Sequence, residues 1–341
     1  MSSDRPESLA IVGEAPVFLE MLEHVSRAAP LTKPVLVIGE RGTGKELIAS
    51  RLHYLSERWE QPLIKVNCAA LTESLLESEL FGHEAGAFTG AARTHLGQFE
   101  QSDGGTLVLD ELGTIPLRMQ EKILRVIEYG EFRRVGGSET LVTDVRVVGV
   151  TNEDLPRLAA RGEFRRDLLD RLAFDVIHVP PLRARPEDIM ALAYHFAVTL
   201  TSELKRPYFA GFSDAVRAEL LGADWPGNVR ELKNTIERSV YRSEDPDEPL
   251  AEVISNPFES PFGPMPASQS VPPEPHAEEP RTAASKTAPI FPLDFKALVA
   301  DYERGLLDAA LERSLHNQRI ASGLLGLTYD QLRGLVRKYR Q

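Results

Sequence analysis

The chain of 341 residues exceeds a single typical core, and its 42% hydrophobic and 26% charged residues are ordinary for a soluble globular protein with two or more folded units. A net charge of −12 argues against a chain that coats nucleic acid along its whole length, and no apolar run is long enough to cross a bilayer. The start MSSDRPESLA lacks a secretory pattern, and the single cysteine, Cys68, excludes an internal disulfide framework; a cytoplasmic protein is expected, with Cys68 a small buried hydrophobe.

Residues 1–180 alternate strand-like and helix-like segments. Pro34 to Ile38 is a short apolar run ending in glycine, and helical spacing follows from Lys45 to Leu55. Thr106 to Leu109 and Val145 to Val150 are further β-branched runs, and Met119 to Glu128 places apolar residues three and four apart. This alternation predicts an α/β fold with a parallel sheet covered on both faces. Residues 181–255 lose the strand signal from Pro186 onward and read as a helical subdomain. Residues 256–292 hold ten prolines and almost no aliphatic side chains. Such a composition cannot offset the entropy of ordering, so a disordered linker is expected, the alternative being an ordered proline-rich ligand. Helical periodicity returns over 293–341, which predicts a small all-α domain. There the whole-chain charge conceals a basic end with Arg333, Arg337, Lys338 and Arg340.

The run Gly39, Glu40, Arg41, Gly42, Thr43, Gly44, Lys45, Glu46 follows one apolar strand and opens a helix. This is a phosphate loop in its proper context. Its glycines let backbone N–H groups turn inward, the helix presents its positive end, and Lys45 reaches the β- and γ-phosphates. Glu46 stands where Ser or Thr usually helps hold Mg²⁺, a departure from the common pattern. A second apolar strand ends in Asp110 and Glu111, at the sheet edge where α/β ligands bind. Asp110 would hold Mg²⁺ through water and Glu111 would polarise the attacking water, so ATP and Mg²⁺ are the expected cofactors. Alone, the two carboxylates would equally suit a solvated loop start.

The hexapeptide Gly86, Ala87, Phe88, Thr89, Gly90, Ala91 is too specific for composition to explain. It resembles the signature loop of the sigma-54-dependent transcriptional activators, whose central domain is an AAA+ ATPase. The resemblance covers nearly the whole chain apart from the linker. It implies a P-loop ATPase with a helical lid, and in that family Glu follows the phosphate-loop Lys, as Glu46 does here. With no receiver domain before residue 8, the chain is most similar to members that control envelope-stress, or phage shock, operons. The resemblance further implies that Asn67 is the switch residue acting on Glu111, and that Thr151 and Asn152 are sensor I. It places the arginine fingers at Arg165 and Arg171, and sensor II at Arg230. Arg171 could instead pair with Asp167, and Arg230 could form a surface ion pair. The implied partners are sigma-54 RNA polymerase, reached by the Phe88–Thr89 loop, and further copies of the chain in a ring, commonly a hexamer. An exposed Phe88 forgoes roughly 1.5–3 kcal/mol of burial, which argues for a partner at that loop; a ring tucked into the core is the alternative.

The C-terminal helices resemble the Fis-type helix-turn-helix of the family. Gln318 to Leu325 and Tyr329 to Arg337 would flank a turn, with Thr328 as cap. Tyr329, Gln331, Arg333 and Arg337 would meet enhancer DNA. A three-helix interaction module would look similar. Trp59, between charged neighbours, is a candidate dock for a coiled-coil repressor of the phage shock protein A type, against simple edge packing. Three functions compete: an ATPase that remodels the sigma-54 polymerase from closed to open complex, a DNA-binding regulator whose ATPase fold only oligomerises, and a remodeller of another substrate. The intact GAFTGA loop favours the first.

Overall fold

The computed structural model describes residues 11–243, 245–257, 295–314 and 317–339. It divides into two units, Met1–Gly263 and Pro264–Gln341. Most of the proline-rich stretch expected as a linker lies outside the described residues.

The first unit opens with α1 (Pro16–Ala28) and β1 (Val35–Ile38), followed by α2 (Lys45–Tyr54), β2 (Leu63–Asn67), α3 (Glu73–Phe81), α4 (Gln98–Gln101) and β3 (Thr106–Asp110). Next come α5 (Leu117–Tyr129), a short antiparallel pair β4 (Glu131–Phe132) and β5 (Leu141–Val142), and β6 (Arg146–Thr151). The α/β part closes with α6 (Leu155–Ala160), α7 (Arg166–Leu172) and β7 (Asp175–His178). The five longer strands form one parallel sheet in the order β2-β3-β6-β1-β7.

Alternation along the strands builds two cores. Leu36, Leu107, Leu109 and Val147 pack with Phe81, Phe99, Leu112 and Ile123 on one face. Val35, Val37, Val108, Val148 and Val150 pack with Phe18, Val25, Ile48 and Leu52 of α1 and α2 on the other. Period-two alternation with apolar residues on both sides is what a sheet sandwiched between helices requires. Gly149 on β6 is small for a reason: a Cβ there would lie 2.7 Å from Leu36 and 2.8 Å from Leu112. Cys68 is buried as expected, and burial beside Asp110 and Glu111 pushes its thiol up to about 12.

A charged residue sits in the middle of this apolar construction. Arg146 is 1% exposed, and its guanidinium donates to Ala29 O at 2.7 Å and Ala28 O at 2.9 Å, with Leu52 O at 3.4 Å. These are carbonyls at the C-terminal ends of α1 and α2, which intrahelical bonding leaves without partners and the helix dipole makes negative. Burial lowers the Arg146 pKa to about 10.

The lid comprises α8 (Glu187–Glu203), α9 (Asp214–Gly222) and α10 (Asn228–Arg242) around Leu192, Ala193, Phe212, Trp225, Leu232 and Ile236. The second unit comprises α11 (Phe295–Arg313), α12 (Gln318–Leu324) and α13 (Tyr329–Tyr339), closed on Leu307, Ala310, Leu311, Ala321 and Leu332. Among the described residues no helix is long and apolar enough to cross a membrane.

Candidate nucleotide site and its surroundings

Strand β1 delivers the phosphate loop to the carboxyl end of the sheet, where strand order reverses around β1. Gly42 and Gly44 take φ of +76° and +95°, and α2 begins directly at Lys45. Lys45 Nζ donates to Gly39 O at 2.8 Å and Glu40 O at 2.9 Å, and burial lowers its pKa against the opposing pull of Glu111 and Asp110. Arg41 through Glu46 line a cleft of about 860 Å³ together with Asp110, Glu111 and Arg230. Phe18, Leu192, Phe196 and Val229 supply its apolar wall. The cleft combines a cationic loop, two carboxylates and an apolar wall, which suits a nucleoside triphosphate.

Two members of the phosphate-loop motif stand elsewhere. Gly39 and Glu40 are not among the cleft-lining residues. The Glu40 carboxylate faces the lid, where it receives the Arg183 guanidinium and the Asn228 amide, and these partners hold its pKa at about 2.

Asp110 ends β3, and its Oδ1 accepts the Glu111 N–H at 3.0 Å. Glu111 has φ +54°, a left-handed conformation uncommon for a residue that carries a Cβ, so the carboxylate is presented by a strained backbone. The backbone turn is held by Thr114 Oγ1 donating to Glu111 O at 2.8 Å. Among the described residues no cluster of three or more His, Cys, Asp or Glu could hold a metal alone. Asp110 and Glu111 fit Mg²⁺ in its usual role beside nucleotide, where one or two carboxylates share the ion with phosphate oxygens.

Asn67 ends β2 opposite Asp110 in the ladder. Its Oδ1 accepts the Ala69 N–H at 3.0 Å, and it forms no hydrogen bond with Glu111 in this structure. Thr151 is fully buried with Oγ1 accepting from Glu153 N–H, and the adjacent Asn152 Oδ1 is buried without a partner. An orphaned amide oxygen at the end of β6, between β1 and β3, is a polar group that a ligand or its water could satisfy.

Arg165 and Arg171 do not line this chain's cleft. Arg165 precedes α7 and pairs with Asp167 at 2.7 Å, while Arg171 pairs with Glu128 at 2.6 Å, so Asp167 is not the partner of Arg171. Both guanidiniums are partly or largely exposed. Arg230 lies in the cleft wall, and its N–H donates to Gly42 O at 3.2 Å.

The Gly86–Ala91 loop leaves the body after a rigid base. His83 and His95 exchange backbone hydrogen bonds, and Arg134 clasps Glu84 at 2.7 Å and Glu100 at 2.7 Å. Beyond that base, a Cβ at Gly86 or Gly90 would meet nothing within 4 Å, and both have positive φ. Phe88 is 45% exposed and rests against the His83 ring at 4.9 Å, so it is not tucked into the core. Trp59 is 56% exposed.

In the second unit, Thr328 begins α13 with a reciprocal cap. Thr328 N–H donates to Gln331 Oε1 at 2.9 Å, and Gln331 N–H reaches Thr328 Oγ1 at 3.4 Å. Gln331, expected to meet DNA, therefore uses its side-chain oxygen on the cap. Tyr329, Arg333 and Arg337 are exposed.

Residues 11–178 match the Sigma-54 interaction domain and residues 183–254 match the AAA+ ATPase lid domain. The chain is 55% identical over 332 residues to the Psp operon transcriptional activator of Escherichia coli (strain K12), covering 97% of this chain and 98% of that protein. It belongs to the sigma-54-dependent transcriptional activators. This activator is thus an AAA+ ATPase, and sigma-54 RNA polymerase is its family's partner. It is also 40% identical to the Regulatory protein AtoC of the same organism, over 96% of this chain and 67% of that one. The structure of NtrX from Brucella abortus in complex with ADP aligns with a TM-score of 0.66 at 30% identity, over 97% of this activator and 70% of NtrX. Residue types and positions carry the nucleotide site legibly. The strained Glu111 backbone, the buried Arg146 and the lid-facing Glu40 had no signal in the sequence beyond their bare identities.

Proposed function

We propose that this activator binds an upstream enhancer and uses ATP hydrolysis to convert the sigma-54 polymerase closed complex into the open complex, at an envelope-stress operon of the psp type. The observation that carries the reading is the Gly86–Ala91 loop: an exposed Phe88 on a tip that touches little of its own chain, rooted by Arg134 in the ATPase body. Such a tip can move and bind without disturbing the fold.

Hydrolysis follows from the residues around the cleft. The phosphate-loop N–H groups and Lys45 hold the β- and γ-phosphates, and Glu111 orients and polarises the attacking water. Mg²⁺, held through water by Asp110, would neutralise developing phosphate charge. Asn67 has its strand-end position beside Asp110 and would restrain Glu111 until nucleotide state releases it. Thr151 and Asn152 would sense the γ-phosphate, and Arg230 would do so from the lid. Arg165 and Arg171 do not line their own chain's cleft and would complete the site of a neighbouring subunit in a ring, a hexamer in this reading. The second unit would act as a helix-turn-helix on enhancer DNA through Tyr329, Arg333 and Arg337, with Thr328 and Gln331 setting the start of the recognition helix. A repressor of the phage shock protein A type would dock at Trp59, and the whole cycle would run in the cytoplasm.

Thr89→Ala tests the reading. ATP binding and substantial hydrolysis should persist, while open-complex formation is lost. ADP with aluminium fluoride should trap the parent on sigma-54 but not the variant. Normal transcription by Thr89→Ala would remove the reason for assigning the loop to sigma-54.

A further inference from the structure

Residues 40–43 of the phosphate loop are bonded one after another by segments of the lid and its connector. The Glu40 carboxylate receives Arg183 Nη1 at 2.7 Å and Nη2 at 2.5 Å in a fork, and Asn228 Nδ2 at 3.1 Å. Arg41 O also accepts Asn228 Nδ2, at 3.0 Å. Gly42 O accepts the Arg230 N–H at 3.2 Å, and Thr43 O accepts Arg185 Nη2 at 3.2 Å. Arg183 and Arg185 lie in the connector into α8, and Asn228 and Arg230 open α10.

The two backbones are in direct contact. A Cβ at Gly42 would come within 2.3 Å of Gly227 O. Asn228 is fully buried with φ +54°, and its Oδ1 holds the Leu182 N–H at 2.8 Å, so one amide ties connector, lid helix and phosphate loop together. A strained, buried residue with every amide atom engaged is a fixed joint rather than a loose surface contact. The Glu40–Arg183 pair differs, because its side chains are 43% and 50% exposed. Such a pair adds little stability, but the fork fixes a direction, and it can part without leaving a buried charge.

We infer that Glu40 is a positioning residue that couples the phosphate loop to the lid: its bonds to Arg183 and Asn228 turn a movement of the loop on the phosphates into a movement of α8 and α10. The loop's inner face serves the nucleotide, and its outer face serves the lid. The phosphate loop is thereby a transmission element as well as a binding element.

The test uses the full chain, with labels on Glu23→Cys in α1 and Arg242→Cys at the end of α10, both exposed; the only native cysteine, Cys68, is buried. In the parent, the core-to-lid distance should differ between ADP and a non-hydrolysable ATP analogue. In Glu40→Gln, and equally in Arg183→Gln, the nucleotide-dependent change in distance should shrink to less than half of the parent's, the bonds from Asn228, Arg230 and Arg185 to the loop backbone carrying what remains. KM for ATP should stay within about twofold while kcat falls about tenfold, the pattern of a lost step rather than lost binding. The double variant should be no worse than either single one, because both remove one interaction. Arg183→Gln lies outside the phosphate loop, so it reads the coupling even if Glu40→Gln perturbs the loop itself. The inference is overturned by a lid that follows nucleotide as fully as the parent's in both variants, or by a parent lid that does not move. A loss confined to KM would place Glu40 on the nucleotide instead, and a double variant showing the product of the two single losses would make the residues independent.

Discussion

Asn67 and Asp110 are register partners at the carboxyl ends of β2 and β3, so a strand-end amide stands beside the two carboxylates that face the nucleotide cleft. The amide oxygen accepts the Ala69 N–H, and the amide nitrogen, the group able to donate to a carboxylate, makes no hydrogen bond to Glu111. Glu111→Gln should therefore bind ATP with near-parental affinity and hardly hydrolyse it, because only the polarising charge is lost. Lys45→Ala should fail at binding. Nucleotide titration beside single-turnover hydrolysis separates the two, and parental turnover by Glu111→Gln would refute the assigned base.

Arg165→Ala and Arg171→Ala should each cripple hydrolysis, by roughly 10³–10⁵ if they act as fingers. Their present partners, Asp167 and Glu128, are surface groups whose loss of an ion pair costs little stability. Mixed assemblies of a finger variant with Glu111→Gln should regain part of the activity, since one intact composite site can form between subunits. Assemblies that form normally yet show no rescue would place the whole site within one chain.

Arg146→Ala should destabilise the α/β core by about 3–5 kcal/mol, since it opens a cavity, orphans the Ala29 carbonyl and leaves Ala28 O with only the Leu31 N–H. Arg146→Met refills the space and should recover part of that loss, though not the hydrogen bonds. Urea unfolding of both variants measures the difference.

His53 gives the core a pH dependence. Its ring is 1% exposed, lies 3.0 Å from Thr106 Oγ1, and has its pKa lowered, first by burial and further by Arg146. The fold therefore holds the neutral ring more tightly than the unfolded chain does. The sign follows: stability from this group is complete above the unfolded value of about 6.5 and declines as pH falls through the lower folded value. His53→Gln should flatten the fall in melting temperature between about pH 6.5 and pH 5. An unchanged slope would show that other groups set it.

Legibility in the sequence followed position in the sheet. The three inner strands β1, β3 and β6 stood out as apolar runs because helices cover them on both faces. The edge strands β2 and β7 did not, since Lys65, Asn67, Asp175 and His178 interrupt them and half their surface is open. Helix boundaries at Lys45, Gln318 and Tyr329 agree with the expected starts, because glycine or a capping side chain marks each one. The phosphate loop and paired carboxylates were readable as local motifs. Glu40 was readable only as a motif member; its true partners lie 143 and 188 residues away, where no local pattern reaches.

The freedom of Gly86 and Gly90 has a consequence for how variants of this protein are judged. Thr89 is exposed at the tip and its hydroxyl makes no hydrogen bond, so after its substitution yield, solubility and melting temperature would all report a healthy protein. Screens built on folding would pass as neutral the changes that silence the promoter, and only an assay that reads transcription would register them.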